Sequence, residues 1–276
     1  MLWGGGWPAL KILTESLPWE VATFWRFALM SIAFIPVLLW MRRPIRISAH
    51  AFGWVTLSAL LNAAFMGLSF WGVMVGTAGA GGVVITTLSP ILTVVIAIAF
   101  LGMKPSERHI FGLVIGLAGG MMMLEVWSRD LLLHGGNLIF VISALVWAVL
   151  TLSAQRSHLH LDPIHYTFLL GLIATFIMFP VAYPRGIFQV FDQDIRFWSA
   201  LVYLAVLGQT VASTIYFIAS GRIGSGRASS YMFLVPVCAL SSSYVLLGEV
   251  PSLPLLTGGA ISMLAVYLIN KSGSAR

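Results

Sequence analysis

The sequence predicts an all-α membrane protein with ten transmembrane helices, arranged as two inverted repeats of five helices. Three observations lead to this fold class. The chain is 59% hydrophobic and only 9% charged, whereas a soluble domain carries about 25% charged residues. Its apolar residues fall into ten runs, most of which reach the roughly 20 residues that a helix needs to cross the hydrocarbon core. Its second half also repeats landmarks of its first half.

The ten apolar runs follow one another with no long soluble segment between them. They cover residues 1–14, 19–41, 51–73, 78–102, 107–126, 136–157, 163–183, 197–219, 225–247 and 252–270. Turn residues or charges mark the breaks, as at Leu17-Pro18 and Asp162-Pro163. The first run has only ten residues before Lys11, about half a span at about 1.5 Å per residue. We therefore expect the first helix to be short or truncated at its start.

The two halves align when the sequence is shifted along itself by 146 residues. This frame superposes landmark residues: Leu101-Gly102 on Leu247-Gly248, Pro90 on Pro236 and Gly112 on Gly258. The predicted repeats span residues 1–126 and 136–270. Because each has an odd number of spans, the two copies are expected to insert in opposite orientations. Inverted repeats of this kind are typical of carriers that work by alternating access.

The basic residues between the runs predict the orientation, because cytoplasmic loops are enriched in Lys and Arg. A cytoplasmic N-terminus places ten basic residues inside: Arg42, Arg43, Arg46, Lys104, Arg108, Arg156, Arg222, Arg227, Lys271 and Arg276. Only three then lie outside: Arg129, Arg185 and Arg196. Both termini are therefore predicted to be cytoplasmic. The net charge of +6 is explained by this topology, and no basic patch interleaved with aromatic residues suggests nucleic acid as a partner.

Several motifs resemble the EamA domain of the drug/metabolite transporter superfamily. The first is Trp3-Gly4-x-x-Trp7-x-x-x-Lys11-x-x-x-Glu15-x-x-Pro18-x-x-x-Ala22-x-x-x-Arg26-Phe27, and two more are Ser230-Tyr231-x-x-Leu234-x-Pro236 and Leu247-Gly248-Glu249-x-Pro251. Met103 stands where the first repeat of the family usually carries the counterpart of Glu249. The resemblance covers essentially the whole chain. It implies a multi-pass carrier of the bacterial inner membrane, often an exporter of amino acids or other small metabolites.

Polar residues near the middle of apolar runs point to a substrate cavity, because inverted-repeat carriers bind at the midplane between their halves. Asn62 and Gln209 lie at the centres of the third and eighth runs, one residue from exact symmetry. Helical spacing and the repeat frame extend this to a candidate site: Trp3, Trp7, Arg26, Asn62, Met66, Trp147, Thr151, Gln155, Gln209, Ser213 and Tyr216. The alternative is that the amides and hydroxyls only bind neighbouring helices together.

Arg26 and Lys11 are the basic residues of the apolar runs that lie more than two residues from a run's end, and Arg26 is about 12 Å along its helix from Pro18. A buried positive charge could hold a substrate carboxylate. Alternatively, Arg26 extends towards the interface and pairs with Glu15 or Glu20. Lys11 is closer to the outer end, where the same outward extension is expected. The glycines at 112, 116, 120 and 258 recur at spacings that favour close helix packing.

Enzyme chemistry has little support in the sequence, and we expect neither a cofactor nor a metal. His158, His160, Asp162 and His165 cluster in a short loop, but without a metal-ligand frame such as His-Glu-x-x-His. The single cysteine, Cys238, excludes an internal disulfide. Three functions stay open: export of a small polar metabolite such as an amino acid, efflux of amphipathic drugs, and a membrane scaffold or receptor subunit. The expected partners are the lipid bilayer and a small-molecule substrate.

Overall fold

The computed structural model describes residues 2–42, 44–45, 47–76, 78–123, 135–157, 161–238, 241 and 253–271, and these residues form helices and short connections without a β-strand. The longer helices are α1 (Gly6–Ser16), α2 (Trp19–Met41), α3 (Ala49–Val75), α4 (Ala78–Leu101), α5 (Glu107–Met123), α6 (Gly135–Ser157) and α7 (Pro163–Ala182). They are followed by α8 (Ile195–Val202), a π-helix (Tyr203–Ser213), α9 (Thr214–Ile223), α10 (Ser225–Ser230) and α11 (Leu253–Lys271). Short 3₁₀ turns cover Tyr183–Arg185, Ile187–Asp192 and Tyr231–Phe233.

The apolar runs predicted the helix positions well. The second predicted run has the same bounds as α2, and the fourth and seventh differ from α4 and α7 by one residue. Six helical stretches of the described chain are long and apolar enough to span a membrane: Trp19–Met41, Ala49–Val75, Ala78–Leu101, Leu138–Ser157, Pro163–Arg185 and Ile195–Ile223. The chain is therefore a multi-pass, all-helical membrane protein.

Four of the ten predicted runs are not among these six stretches: the runs that form α1 and α5, the ninth run, and the run that forms α11, which has 19 residues. Helix α1 has 11 residues and is about 16 Å long, and α5 has 17 residues and is about 25 Å long. Both are shorter than the roughly 30 Å hydrocarbon core. The ninth predicted run, 225–247, lies partly outside the described residues. Ten spans thus remain an expectation of the sequence repeat.

Side chains at the predicted breaks fix where the helices begin. The carboxylate of Asp162 accepts a hydrogen bond from the backbone N–H of Ile164 at 2.9 Å, directly before Pro163 opens α7. Ser48 caps α3 and Asp194 caps α8 in the same way. These caps satisfy N–H groups that the first turn of a helix leaves without partners.

The core divides into a large central part and a small peripheral one. The large cluster includes buried side chains of α1 to α4 and of α6 to α10. The small cluster joins α5 and α11, with Leu113 and Ala265 among its members. Helices α5 and α11 pack so closely that a Cβ added at Gly258 would lie 2.7 Å from the carbonyl oxygen of Gly119. The predicted packing role of the small residues in these two helices agrees with this contact.

The helical stretch Ile195–Ile223 contains an unusual segment. Residues Tyr203–Ser213 form a π-helix, in which backbone hydrogen bonds join residues five apart rather than four. The Thr210 hydroxyl follows the same offset and donates to the carbonyl oxygen of Ala205 at 3.0 Å. It also reaches the Met30 carbonyl of α2 at 3.5 Å. Segments of this kind are rare and often lie at functional sites.

Candidate functional site

A cavity of about 90 Å³ lies at the centre of the bundle, among α1, α2, α3, α4, α6 and the π-helix. This is room for several water molecules, since one needs about 10–15 Å³ on this measure. Its wall consists mainly of apolar and aromatic side chains, with a few polar groups. The lining residues are Leu2, Trp3, Gly6, Trp7, Leu10, Arg26, Phe65, Met66, Ser69, Ile85, Thr86, Trp147, Leu204, Gly208, Gln209, Met232 and Val235.

Aromatic rings from both halves of the chain form one side of this cavity. The rings of Trp3 and Trp147 meet edge to face with centroids 5.4 Å apart, and Phe65 lies 4.7 Å from Trp147. The Trp3 indole N–H also donates to the carbonyl oxygen of Gly208 at 3.0 Å. This bond fixes α1 against the π-helix and holds the Trp3 ring in the wall.

Trp7 reaches the cavity because α4 begins with glycines. A Cβ added at Gly82 would lie 3.0 Å from the Trp7 ring, and one added at Gly81 would lie 2.9 Å from it. Real side chains almost never approach this closely, so the indole occupies space that only glycine leaves free. Close packing against Trp7 therefore explains Gly81 and Gly82.

Among the described residues that line the cavity, Arg26 alone is charged. It is 5% exposed, and its Nε has no hydrogen-bond partner. Within the described chain no carboxylate pairs with it, because Glu20 is 3.4 Å from Arg185 and Glu15 is 4.0 Å from Lys11. The alternative that Arg26 pairs with Glu15 or Glu20 is therefore wrong. The reason is the short loop after α7, which brings Arg185 back to the start of α2.

Gln209 lies on the π-helix and lines the same cavity as Arg26 of α2. It is 4% exposed, and its Oε1 accepts a weak hydrogen bond from the Ser213 hydroxyl at 3.4 Å. Ser213 also donates to the Gly208 carbonyl at 3.2 Å. Neither hydrogen bond involves the side-chain NH₂ group of Gln209.

Six of the predicted site residues line the cavity: Trp3, Trp7, Arg26, Met66, Trp147 and Gln209. Two more lie directly behind its wall. The Tyr216 ring is 5.1 Å from Trp3, and its hydroxyl shares a hydrogen bond of 3.0 Å with Thr151. These two residues support the aromatic wall without lining the cavity.

The other three predicted residues lie elsewhere. Asn62 is one helical turn before Met66 and 2% exposed, with no partner for its Oδ1. Gln155 is at the far end of α6, where its Oε1 accepts the backbone N–H of Ser225 at 3.1 Å. Ser213 is bonded within its own helix. The Gln155 contact caps α10 and gives this residue a structural task.

Sequence reasoning did not select several lining residues. Ser69 shares a helix face with Asn62 and Met66, so helical spacing pointed towards it. It is 3% exposed, and its hydroxyl oxygen has no partner. Phe65, Ile85 and Met232 are ordinary residues of membrane helices, and nothing in their spacing distinguished them from the core.

Apolar helices of membrane-spanning length, packed around a small cavity that contains the buried cation Arg26, define a multi-pass membrane protein. The chain belongs to the EamA-like transporter family, which matches residues 1–124 and 134–271. The expected resemblance is thereby confirmed. An uncharacterized transporter of Synechocystis is 28% identical over 98% of this chain and 87% of its own length. YoaV, an uncharacterized transporter of Bacillus subtilis, is 23% identical over 100% of this chain and 95% of its own.

Two further comparisons bear on function and fold separately. A probable terminal-alkyne amino-acid exporter of Streptantibioticus cattleyicolor is 26% identical over 75% of this chain and 69% of its own length. A crystal structure with 18% identity superposes with a TM-score of 0.73 over 98% of this chain and 94% of that one. At this identity the second match concerns the fold alone. The three sequence relatives are named as transporters or as an exporter, which is consistent with the expectation that this protein is not an enzyme.

Proposed function

We propose that this protein is an inner-membrane carrier that works by alternating access and exports a small polar metabolite such as an amino acid. The observation that carries the proposal is the central cavity, which residues of both sequence repeats line together. Arg26 and Met66 come from the first repeat, and Trp147 and Gln209 come from the second. A site shared between two repeats changes its accessibility when one repeat rocks against the other.

The packing of the helices supports the inverted-repeat architecture, with repeats at 1–126 and 136–270 and ten spans. In the repeat frame α1 corresponds to α6, α2 to α7, α3 to α8 and α5 to α11. Helix α3 packs on α6, and its counterpart α8 packs on α1. Helices α2 and α7 pack on each other, as do α5 and α11. A two-fold axis between the repeats would relate these contacts, because it would exchange each helix with its counterpart in the other repeat.

The direction and the cargo rest on sequence and on relatives. The basic residues of the loops favour cytoplasmic termini. One relative that covers 75% of this chain is named a probable amino-acid exporter. Gln209 and Ser69 offer hydrogen bonds to a polar substrate in an otherwise apolar chamber.

A second candidate, efflux of amphipathic compounds, draws on a specific observation. Trp3, Phe65 and Trp147 form a continuous aromatic wall with ring distances of 5.4 and 4.7 Å. Aromatic and apolar linings are suited to large, weakly polar ligands. The two candidates differ in whether the polar groups or the aromatic wall dominate affinity.

Purified protein in liposomes tests the proposal. Vesicles loaded with a mixture of labelled amino acids should lose label faster than protein-free vesicles, and an excess of unlabelled substrate outside should accelerate exchange. Preferential movement of a hydrophobic dye would favour the second candidate. Ligand binding without any flux would reject transport and leave a receptor subunit.

A further inference from the structure

We infer that the cavity takes a monovalent carboxylate with an apolar body, and that the guanidinium of Arg26 binds the carboxylate. This inference rests on the proposed function and names the substrate class of the same site. A substrate whose only charge is one carboxylate is favoured over a zwitterionic amino acid.

Among the described residues, the guanidinium of Arg26 has no acidic partner. Arg26 is 5% exposed, and its Nε lacks a hydrogen-bond partner. No Asp or Glu lines the cavity among the described residues. Of the described acids, Glu15 and Glu20 have basic partners, while Glu107, Asp162, Asp192 and Asp194 are exposed. A buried charge that its own protein does not compensate is costly, so an anionic ligand gains more here than at any hydrated arginine.

The single guanidinium of Arg26 limits the charge that a ligand can carry into the cavity. One guanidinium balances one negative charge, and its planar fork matches a carboxylate in bidentate geometry. A phosphomonoester carries about −1.5 to −2 at neutral pH and would bring uncompensated charge into the chamber. A substrate ammonium would likewise find no carboxylate among the described lining residues. Ser69 has a buried hydroxyl without a partner and can donate to a carboxylate oxygen.

The apolar part of the cavity wall determines which ligand body fits beside the carboxylate. Away from Arg26, Ser69 and Gln209, the wall is formed largely by rings and aliphatic side chains, including Trp3, Trp147 and Ile85. Such a surface excludes water and favours apolar contact. A branched alkyl or aryl group joined to a carboxylate suits both parts of the cavity. An aryl group needs more room than the about 90 Å³ present, since a cavity that holds benzene has about 150 Å³, so the helices must separate to admit it.

Four compounds with one carbon skeleton separate charge from shape: 3-phenylpropionate, 3-phenylpropanamide, L-phenylalanine and phenethylamine. Their binding to the full-length protein in detergent can be followed by quenching of tryptophan fluorescence and by thermal shift. We expect 3-phenylpropionate to bind at least about tenfold more tightly than each of the other three, since hydrogen bonds to charged groups are the strong ones. Flux of each labelled compound is measured in liposomes in parallel.

Three variants assign the effect to Arg26. Arg26→Met should abolish the preference for the carboxylate and raise the apparent melting temperature of the unliganded protein, because it removes an uncompensated buried charge. Arg26→Lys should retain charge but lose most of the affinity, since a point charge cannot form the bidentate pair. Lys11→Met, which removes an exposed charge on α1, should leave binding unchanged.

The outcomes separate this inference from transport itself. Carboxylate binding without flux would uphold the inference and reject the carrier. Flux of phenylalanine or phenethylamine with no preference for the carboxylate would uphold the carrier and overturn the inference. A less stable Arg26→Met protein would also overturn it, because Arg26 would then have a structural partner. Neither binding nor flux of any compound would reject both.

Discussion

Single residues give the cavity its polarity, and they do so by lacking partners. Arg26 and Ser69 have atoms without hydrogen bonds, and Gln209 receives only a long one. In a membrane interior, polar groups normally find protein partners or water. Arg26, Ser69 and Gln209 also line the cavity, so their polar atoms are available to a solute. Gln155 and Thr151, in contrast, already use their polar atoms on neighbouring helices.

Replacing Gln209 with Leu tests the polar side of the site. We expect flux to be abolished while the apparent melting temperature stays within about 2–4 °C of wild type, since Leu suits a membrane helix and only a 3.4 Å bond is lost. Gln193→Leu removes an amide from a loop outside the bundle and should leave flux unchanged. Normal flux in Gln209→Leu, or a protein that fails to fold, would mean that Gln209 only connects helices.

Gln155 offers the opposite test. Because its Oε1 caps the backbone N–H of Ser225, Gln155→Leu should cost about 1 kcal/mol of stability without changing substrate affinity. Gln155→Glu keeps an acceptor at this helix start and should restore stability. Thermal unfolding and flux together decide the matter, and a weakened substrate affinity in the Leu variant would return Gln155 to the site.

At the scale of helices, the sequence predicted what hydropathy controls and missed what hydrogen-bond register controls. Helix α2 was predicted to the residue, and Asp162-Pro163 correctly marked the start of α7. The π-helix at Tyr203–Ser213 was not predicted, because apolar side chains fit either register. Helical spacing had placed Gln209, Ser213 and Tyr216 together in the candidate site. Only Gln209 of these three lines the cavity.

The contact between α5 and α11 should be sensitive to a single methyl group. Gly258→Ala would place Cβ 2.7 Å from the Gly119 carbonyl oxygen, so the helices must separate. We expect a loss of about 1–3 kcal/mol, read as a lower apparent melting temperature. Gly53→Ala is the matched control, because no neighbouring atom lies within 4 Å of its added Cβ. Equal effects at both positions would contradict the packing role.

For the whole molecule, the number and direction of the spans decide whether the repeats are inverted. Among the described residues, six stretches have the length and hydropathy that a bilayer requires, and α1, α5, α11 and the ninth predicted run are not among them. The cavity was predicted from the repeat frame, and six of its predicted residues line it. The sequence could not show whether Arg26 pairs with Glu20, because that depends on where the loop carrying Arg185 returns.

Cysteine labelling tests the topology directly. In a Cys238→Ala background, which removes the single native cysteine, Asp192→Cys should react with an impermeant reagent added outside intact cells. Ala49→Cys should react only after the membrane is opened, and it leaves the Ser48 cap of α3 intact. The reverse pattern would overturn the orientation. Labelling of both sites from outside would overturn the inverted repeat.

The attachment of the first helix to the π-helix also constrains the timing of biosynthesis. Trp3 bonds to Gly208 across 205 residues of sequence, and the Tyr203 hydroxyl bonds to the Leu2 carbonyl across 201. At about 5–20 residues per second, a ribosome needs about 10–40 s to make the intervening chain. During that interval α1 is in the membrane or its insertion machinery without the surface it will finally contact. The cavity therefore closes only late in synthesis, because the wall that begins with α1 is completed by the π-helix, whose Gly208 lies 205 residues after Trp3.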